Sequence, residues 1–347
     1  MPPSTHVGML FHSAGMGITE PSHIYRHGHA SLLLSGNSGD QYLKEATSTA
    51  TQHEGTQPAQ QQTISDIATA SSDSRHVKQI NTAIRDSHHE FHASSLKKQG
   101  GWTVLDSSDD VVDWKSCISG LSEPTFAFVM KAISDSLPTN SNLKLWNKIV
   151  SSQCKSCGNQ NQTIHHVLNN CSAHLHLYAW RHDNVLNSLH SFLVKHIKQS
   201  DIRVDLVTKD SRILEARVNT IPCDIFPTFL RPDVVIVDRR DRKIVIIELT
   251  IPFERNFEEA QRRKSVKYAS VIAGLEEAGY ACTFFSLEVG SRGVISHGAH
   301  RFLKDLSGAS RKEVKTLLQT LSRSAIKCSY VIFKERDNVN AKYNELI

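Results

Sequence analysis

Two apolar segments separated by only four residues constrain the fold of this chain more than any other feature. Residues 233–238 and 243–249 are rich in Val and Ile, and the residues between them, 239–242, are all charged. Short β-branched segments joined by so short a turn are typical of a β-hairpin. The pattern therefore predicts two neighbouring antiparallel strands.

The register of this hairpin decides where two carboxylates lie. If residues 239–242 are the turn, Asp238 pairs with Lys243, and Asp233 then lies opposite Glu248 with Cβ atoms roughly 5 Å apart. Two like charges in an apolar sheet are unfavourable unless a cation lies between them, and Mg²⁺ accepts such oxygen ligands. The alternative is that Asp233 begins a strand and Glu248 ends one exposed at the sheet edge. A shift of one residue would also turn the two side chains to opposite faces.

Further strands and helices surround the hairpin in the sequence. Apolar periodicity predicts two more strands and two long helices, at residues 202–207, 282–289, 175–197 and 256–278. Ser310 with Glu313 three residues later is a capping-box signature and predicts another helix start. An earlier helix is predicted before Pro138, with an apolar face formed by Phe126, Val129, Met130 and Ile133. This order favours an α/β fold with a mixed sheet flanked by helices.

The amino-terminal part of the chain carries no comparable pattern. Ser, Thr, Gln, Ala, Gly and Asp dominate residues 36–74, and this composition supplies no apolar face. We expect residues 1–110 to be low-complexity and largely disordered, and we predict no function for them.

Composition limits the class of protein further. A hydrophobic fraction of 39% with 22% charged residues is ordinary for a soluble globular protein. The chain has no run of roughly 18 apolar residues, and residues 1–17 contain no Lys or Arg, so we expect neither membrane insertion nor export. The net charge of +5 favours an anionic partner without establishing that the partner is nucleic acid.

A metal-binding pattern precedes the predicted sheet. The spacing C-x2-C-x8-H-x4-C is formed by Cys154, Cys157, His166 and Cys171. Such a set can give the closed tetrahedral site that structural Zn²⁺ prefers, and no Glu lies beside the ligands to act as a base. His165 could replace His166 as the ligand, His174 is a weaker candidate, and with 19 histidines in the chain the nearby His could also be a coincidence.

Basic residues follow the hairpin on the next predicted helix. Lys264 and Lys267 share a helix face, so both can turn toward the two carboxylates. A lysine beside a metal-bound water can orient it or stabilise the charge that develops on phosphorus. For any one of these residues a solvated basic surface is the alternative. The arginines placed to contact phosphate are Arg255, Arg262 and Arg263.

In combination, these motifs resemble the carboxy-terminal region of site-specific retrotransposons that lack long terminal repeats, over roughly residues 120–340. In that family a reverse transcriptase is followed by a zinc knuckle and a restriction-like endonuclease. The motifs occur here in family order. They are Cys154-x2-Cys157, Thr163-Ile164-His165-His166-x4-Cys171, Arg181-His182-Asp183-Asn184, Arg231-Pro232-Asp233, residues 248–254 and Lys264-x2-Lys267-Tyr268.

The resemblance implies a PD-(D/E)xK endonuclease that nicks target DNA and leaves a 3′ hydroxyl to prime reverse transcription of the element RNA. It implies that Asp233 and Glu248 bind Mg²⁺ and that Lys264 or Lys267 is the catalytic lysine. Thr250 stands where the E-x-K pattern has lysine, so the lysine must come from the following helix. Nucleic acid is expected to contact the zinc knuckle and the basic residues Arg181, His182, Arg231, Arg255, Arg262 and Arg263.

This interpretation divides the chain into four parts. A disordered region (1–110) is followed by a helical segment (111–150). A CCHC zinc knuckle with its following helix (151–200) then precedes a restriction-like endonuclease domain (201–340). The expected partners are target DNA and element RNA, with no membrane and no small-molecule substrate, and the expected localisation is nuclear. No aromatic-x-Asp-Asp polymerase motif occurs, so we expect a fragment or decayed copy of a longer element. The competing hypotheses are a catalytically inactive nucleic-acid-binding remnant and a protein-interaction scaffold.

Overall fold

The structure is a computed structural model that describes residues 114–158, 160–197, 201–205 and 220–338. All of these residues belong to one compact unit. The prediction of disorder for residues 1–110 and the end of the first predicted strand, residues 206–207, lie outside these ranges.

Seven α-helices and four β-strands make up the described part of the chain. The helices are α1 (Trp114–Ile118), α2 (Glu123–Ile133), α3 (Asn140–Leu145), α4 (Leu175–His196), α5 (Phe257–Glu277), α6 (Ala299–Ser307) and α7 (Arg311–Lys334). The strands are β1 (Asp201–Val204), β2 (Val234–Asp238), β3 (Lys243–Thr250) and β4 (Ala281–Glu288). Short 3-10 turns at Ser172–His174 and Glu254–Asn256 precede α4 and α5, and a π-helical turn lies at His166–Asn170.

The four strands form one mixed sheet in the order β1-β2-β3-β4. β1 and β2 are antiparallel, β2 and β3 are antiparallel, and β3 and β4 are parallel, with α5 as the crossover connection that a parallel pair requires. The predicted hairpin is confirmed, because Asp238 pairs with Lys243 and Val234 with Ile247. Extending this register by one residue places Asp233 opposite Glu248.

Helices cover both faces of the sheet, so the fold has three layers. Alternate residues of the hairpin point to opposite faces, as strand geometry requires. Val234 and Ile247 pack in a core with residues of α4, α6 and α7, whereas Val235 and Ile246 pack in a second core with residues of α5. The predicted α/β class with a mixed, helix-flanked sheet is therefore confirmed.

The first long helix of the α4–α7 layer differs from its prediction in which residues face the core. The apolar periodicity of residues 175–197 predicts a stripe that begins at Leu175, but the structure leaves Leu175 65% exposed. Leu177 and Arg181 are buried instead, together with Val185 and Leu189. The first turn lies beside the zinc-binding segment, since the Tyr178 hydroxyl accepts a hydrogen bond from the Cys171 N–H at 3.0 Å. Each fully buried Leu contributes roughly 1.5–3 kcal/mol to the stability of this layer.

The last helix, α7, begins where the capping box predicted. The Ser310 hydroxyl accepts a hydrogen bond from the Glu313 backbone N–H at 3.3 Å, and the Glu313 carboxylate accepts one from the Ser310 N–H at 3.1 Å. Such a cap contributes about 1 kcal/mol. The helix then continues to Lys334.

The predicted helix near residues 126–133 exists as α2, but its buried face is shifted. Phe126 and Met130 are half-buried, and Phe128 and Ala132 are buried with Val129 and Ile133. The shift follows from aromatic packing, since the Phe128 ring lies 5.4 Å from the ring of Tyr330 and 5.6 Å from that of Phe333 on α7. None of the described helices combines the length and apolarity that a membrane span needs.

Candidate zinc site and candidate active site

Four metal-binding side chains meet at one point in the segment before α4. A tight turn, closed by a 2.9 Å hydrogen bond from the Gly158 N–H to the Cys154 carbonyl, supplies two of them. The other two are the first residue of the π-helical turn and the residue that directly follows it. Their sulfur and nitrogen atoms all lie within 4.8 Å of one another, and the residues are Cys154, Cys157, His166 and Cys171. The predicted Cys3His cluster is confirmed.

The distances within the cluster fit a tetrahedral zinc ion. The Cys154 and Cys171 sulfurs are 3.9 Å apart, and the Cys157 sulfur is 3.4 Å from His166 Nε2. With Zn–S near 2.3 Å and Zn–N near 2.0 Å, tetrahedral geometry gives about 3.8 Å between sulfurs and about 3.5 Å between sulfur and nitrogen. These residues can therefore hold Zn²⁺ with little movement, and all four coordination positions are filled by protein.

The electrostatics of the cluster also favour a cation. Burial, and then the neighbouring Cys154 sulfur, raise the pKa of the Cys171 thiol to about 12. A bound metal ion reverses this effect, because it deprotonates the thiols that coordinate it. Burial lowers the pKa of His166, so its imidazole is neutral at neutral pH, which is the form that binds metal. Gln160 lies 3.1 Å from His166 Nδ1 and orients the ring.

The two other histidines considered as ligands lie outside the cluster. The His165 ring is 3.0 Å from the Arg255 guanidinium and 3.2 Å from the Asn256 amide, and it contacts the Phe253 ring edge-on. His174 is buried, and within the described residues its ring nitrogens have no hydrogen-bond partner. His166 is therefore the histidine of the Cys3His set.

Asp233 and Glu248 lie side by side at the end of the hairpin away from its turn. The Asp233 N–H donates to Glu248 Oε2 at 3.2 Å, and the Leu249 N–H donates to Asp233 Oδ2 at 2.7 Å. Glu248 is 2% exposed, and the Asp233 side chain is 13% exposed. Burial, and then the charge of Asp233, raise the pKa of Glu248. The two carboxylates are thus close enough to interact strongly, and Glu248 is not at an exposed edge.

The two candidate lysines differ in how they reach this pair. Lys264 on α5 donates a short hydrogen bond to Glu248 Oε1, and its side chain is 19% exposed. Lys267 lies 3.9 Å from the same oxygen, is 41% exposed and donates to the Tyr268 hydroxyl at 3.0 Å. The geometry favours Lys264 as the lysine closer to the carboxylates.

His182 approaches Asp233 from the opposite layer. Its Nε2 atom is 3.3 Å from Asp233 Oδ2, and its Nδ1 atom is 3.3 Å from Asp183 Oδ1. Burial opposes a charge on this ring, but the hydrogen bonds and charges of Asp183 and Asp233 outweigh burial and raise the pKa of His182 to about 10. In the folded protein His182 is therefore a cation that pairs with Asp233.

The raised pKa of His182 predicts how stability changes with pH. The group is protonated up to about pH 10 when folded but only up to 6.5 when unfolded, so its stabilising effect is complete below pH 6.5 and is lost as pH rises toward 10. We expect the free energy of unfolding to fall by at most about 1.4 kcal/mol per pH unit over this range. Urea unfolding of the wild type and of His182→Gln at pH 7 and pH 9.5 measures the effect. Parallel pH profiles for the two proteins would contradict it.

The arginines expected to contact nucleic acid lie in different environments. Arg181 is only 2% exposed and donates to the Ser329 hydroxyl at 2.9 Å, so its burial argues against direct contact with nucleic acid. Arg262 is exposed but forms a bidentate pair with Glu259, and Arg231 lies 4.0 Å from Asp205. The exposed arginines also include Arg255 and Arg263.

Sequence reasoning did not select one residue that lies close to the candidate active site. Glu288 on β4 is 1% exposed, and the charge of Lys264 acts on it. Its neighbour at the same-face position, Ser286, is in register with Glu248. The sequence signal for Glu288 is its place two positions after Ser286 in the mostly apolar strand predicted at residues 282–289.

Comparison with known proteins supports the first of the two sites. A family model described as zinc-binding in reverse transcriptase matches residues 98–178, which include all four zinc ligands. No curated protein matches the chain. The chain therefore contains a zinc-binding domain of the reverse transcriptase-related kind, as expected of a retroelement protein.

Proposed function

We propose that this chain is a metal-dependent DNA endonuclease of the PD-(D/E)xK, restriction-like class that nicks target DNA to prime reverse transcription of a retrotransposon. The observation that carries the proposal is the half-buried Asp233 carboxylate beside the buried Glu248 carboxylate, with Lys264 bound to Glu248. The reverse transcriptase-related zinc-binding domain in the same chain supports an origin in such an element. The polymerase is then missing from this chain, and action on chromosomal DNA implies a nuclear location.

The fold supports a nuclease of this class. The mixed sheet is covered by helices on both faces, and the hairpin brings the carboxylates together at one end of the sheet. Thr250 occupies the lysine position of the E-x-K pattern, and Lys264 on α5 reaches Glu248 from the next element of the chain. The geometry therefore offers a physical replacement for the missing lysine.

The donors present fit a hard divalent cation. Asp233 and Glu248 supply carboxylate oxygens, and burial, followed by the charge of Asp233, raises the pKa of Glu248, so a cation bound there would offset both effects. When bound there, Mg²⁺ supplies a Lewis acid that polarises phosphate and lowers the pKa of a bound water.

The residues of the chain then have distinct roles in the proposed reaction. Asp233 and Glu248 hold the cation, and His182 fixes the Asp233 carboxylate by a contact at 3.3 Å. Lys264 keeps a positive charge beside Glu248, where it can stabilise negative charge developing on the scissile phosphate. Burial of Glu248 excludes bulk water and strengthens each of these interactions.

A basic surface supports nucleic acid as the substrate. Arg263 and Lys267 are exposed on the same helix as Lys264, and Arg255 is exposed just before it. Contacts of this kind to phosphates release counterions, so DNA binding should weaken steeply as salt increases. We propose target DNA as the substrate and the element RNA as a second partner.

Incubation with supercoiled plasmid tests the proposed activity. In the presence of Mg²⁺, the wild type is expected to convert plasmid to the nicked form, and EDTA should stop the reaction. Asp233→Asn keeps the shape of the side chain and should produce no nicked DNA, because one of the two metal-binding charges is removed. Asp241→Asn is a matched control, since Asp241 is exposed in the turn of the same hairpin and should leave nicking unchanged.

The same assay distinguishes the inactive remnant. If wild-type protein with bound zinc binds DNA in a salt-sensitive way but never nicks it, the chain is a nucleic-acid-binding remnant. If it shows no salt-sensitive DNA affinity at all, both nucleic-acid proposals fail.

A further inference from the structure

Glu288 is a buried carboxylate that the proposed reaction does not use. It is 1% exposed, it accepts a short hydrogen bond from the Ser286 hydroxyl, and among the described residues it forms no ion pair. Glu254 shows the contrast, because it is equally buried but is bound to the Arg292 guanidinium at 2.7 Å. In the part of the chain that the structure describes, Glu288 lacks the cationic partner that Glu254 has, and burying a charged carboxylate without a compensating cation is costly.

Thr250 is a second buried group without a partner at the same place. It is 8% exposed, and its hydroxyl has no hydrogen-bond partner within the described part of the chain. It lies directly in register with Glu288 across the parallel β3–β4 pair, so the two side chains are neighbours on one face of the sheet. A buried carboxyl group and a hydroxyl without a hydrogen-bond partner among the described residues therefore lie side by side on this face of the sheet.

The cations around this point are already bound to other groups. Lys264 donates to Glu248, which precedes Thr250 by one same-face position on β3. Lys267 donates to the Tyr268 hydroxyl, and His182 is paired with Asp233 and Asp183. The protein thus supplies Glu288 with hydroxyl groups rather than with a cation of its own.

We propose that Glu288 and Thr250, with Glu248 as a shared neighbour, bind a second divalent cation of the Mg²⁺ or Mn²⁺ type. These groups offer only oxygen donors, which hard cations prefer. Paired cations in phosphoryl transfer stabilise the attacking and the leaving oxygen together. The role in nicking rests on the proposed function, but cation binding is measurable without it.

Titration of the zinc-loaded full chain with Mn²⁺, followed by the electron paramagnetic resonance signal of free Mn²⁺, tests this site. The wild type is expected to bind two Mn²⁺ ions. Glu288→Gln should bind one, and Thr250→Val should weaken one of the two sites by at least about tenfold because it loses a ligand but keeps the shape. Glu277→Gln, at an exposed position of α5, is the control and should bind two. Thermal unfolding of each variant checks the fold.

The outcomes separate this site from the proposed nuclease site. Loss of one ion in Glu288→Gln and of the other in Asp233→Asn supports both sites. If Glu288→Gln loses an Mn²⁺ ion but Asp233→Asn does not, the result supports the Glu288 site and counts against the Asp233–Glu248 site. If folded Glu288→Gln and Thr250→Val both bind as many ions as the wild type, with the same affinity, the proposal is overturned and Glu288 is a neutral, protonated acid. The same conclusion follows if the wild type binds no Mn²⁺.

Discussion

Replacing Lys264 with Met is expected to lower the rate of plasmid nicking about 100- to 1,000-fold, whereas Lys267→Met should lower it less than about tenfold. The difference follows from geometry, because Lys264 contacts Glu248 directly and is largely buried, while Lys267 is more exposed and is bound to the Tyr268 hydroxyl. A charge that is held in a water-excluded site stabilises a transition state more than an exposed one does. Single-turnover nicking rates at saturating Mg²⁺ measure both effects.

Both lysine variants must remain folded and able to bind the metal ion for their nicking rates to be compared. Thermal unfolding and Mn²⁺ titration of both variants show whether the loss reflects the chemical step or the loss of the site. Lys264→Arg keeps the charge and should restore part of the rate. Equal losses at the two positions, or the larger loss in Lys267→Met, would show that Lys264 is not the catalytic lysine and that its contact with Glu248 is structural.

Local patterns were enough to predict the hairpin. β-Branched content and a short charged turn predicted the hairpin, and of the registers considered the structure has the one in which Asp238 pairs with Lys243. The helix predicted at residues 256–278 is α5, which begins at Phe257 and ends at Glu277. The proximity of Asp233 and Glu248 was therefore predictable, because both lie within one hairpin.

Contacts between distant parts of the chain were not predictable in the same way. The interaction of His182 with Asp233 joins α4 to the end of β2, and no periodicity in either segment encodes it. The family resemblance implied that Arg181 contacts nucleic acid, yet the packing of α4 on α7 buries this side chain against Ser329. Thr250 and Glu288 meet only because β4 pairs in parallel with β3 after a long crossover, which the sequence of neither strand specifies.

The zinc-binding segment should depend on its metal more than any other part of the described chain. His166→Ala is expected to lose the bound zinc and to reduce the hydrogen-exchange protection of residues 152–171 at least about a hundredfold, which is about 3 kcal/mol of local stability. Three of the four ligands would remain, but a structural zinc site requires four. Zinc content by elemental analysis and hydrogen–deuterium exchange measure the two effects.

The adjacent histidine supplies the matched control for this experiment. His165→Ala changes the same side chain one position earlier, but His165 contacts Arg255 and Asn256 rather than the cluster, so one zinc per chain should be retained. The loss of zinc in His166→Ala should also affect the sheet, because the Asn169 amide in the π-helical turn donates to the Ile251 carbonyl at 2.7 Å, just after β3. We therefore expect His166→Ala to lower the protection of residues 249–252 as well. Zinc retained in His166→Ala but lost in His165→Ala would exchange the roles of the two residues, and retention in both would mean that neither histidine is required.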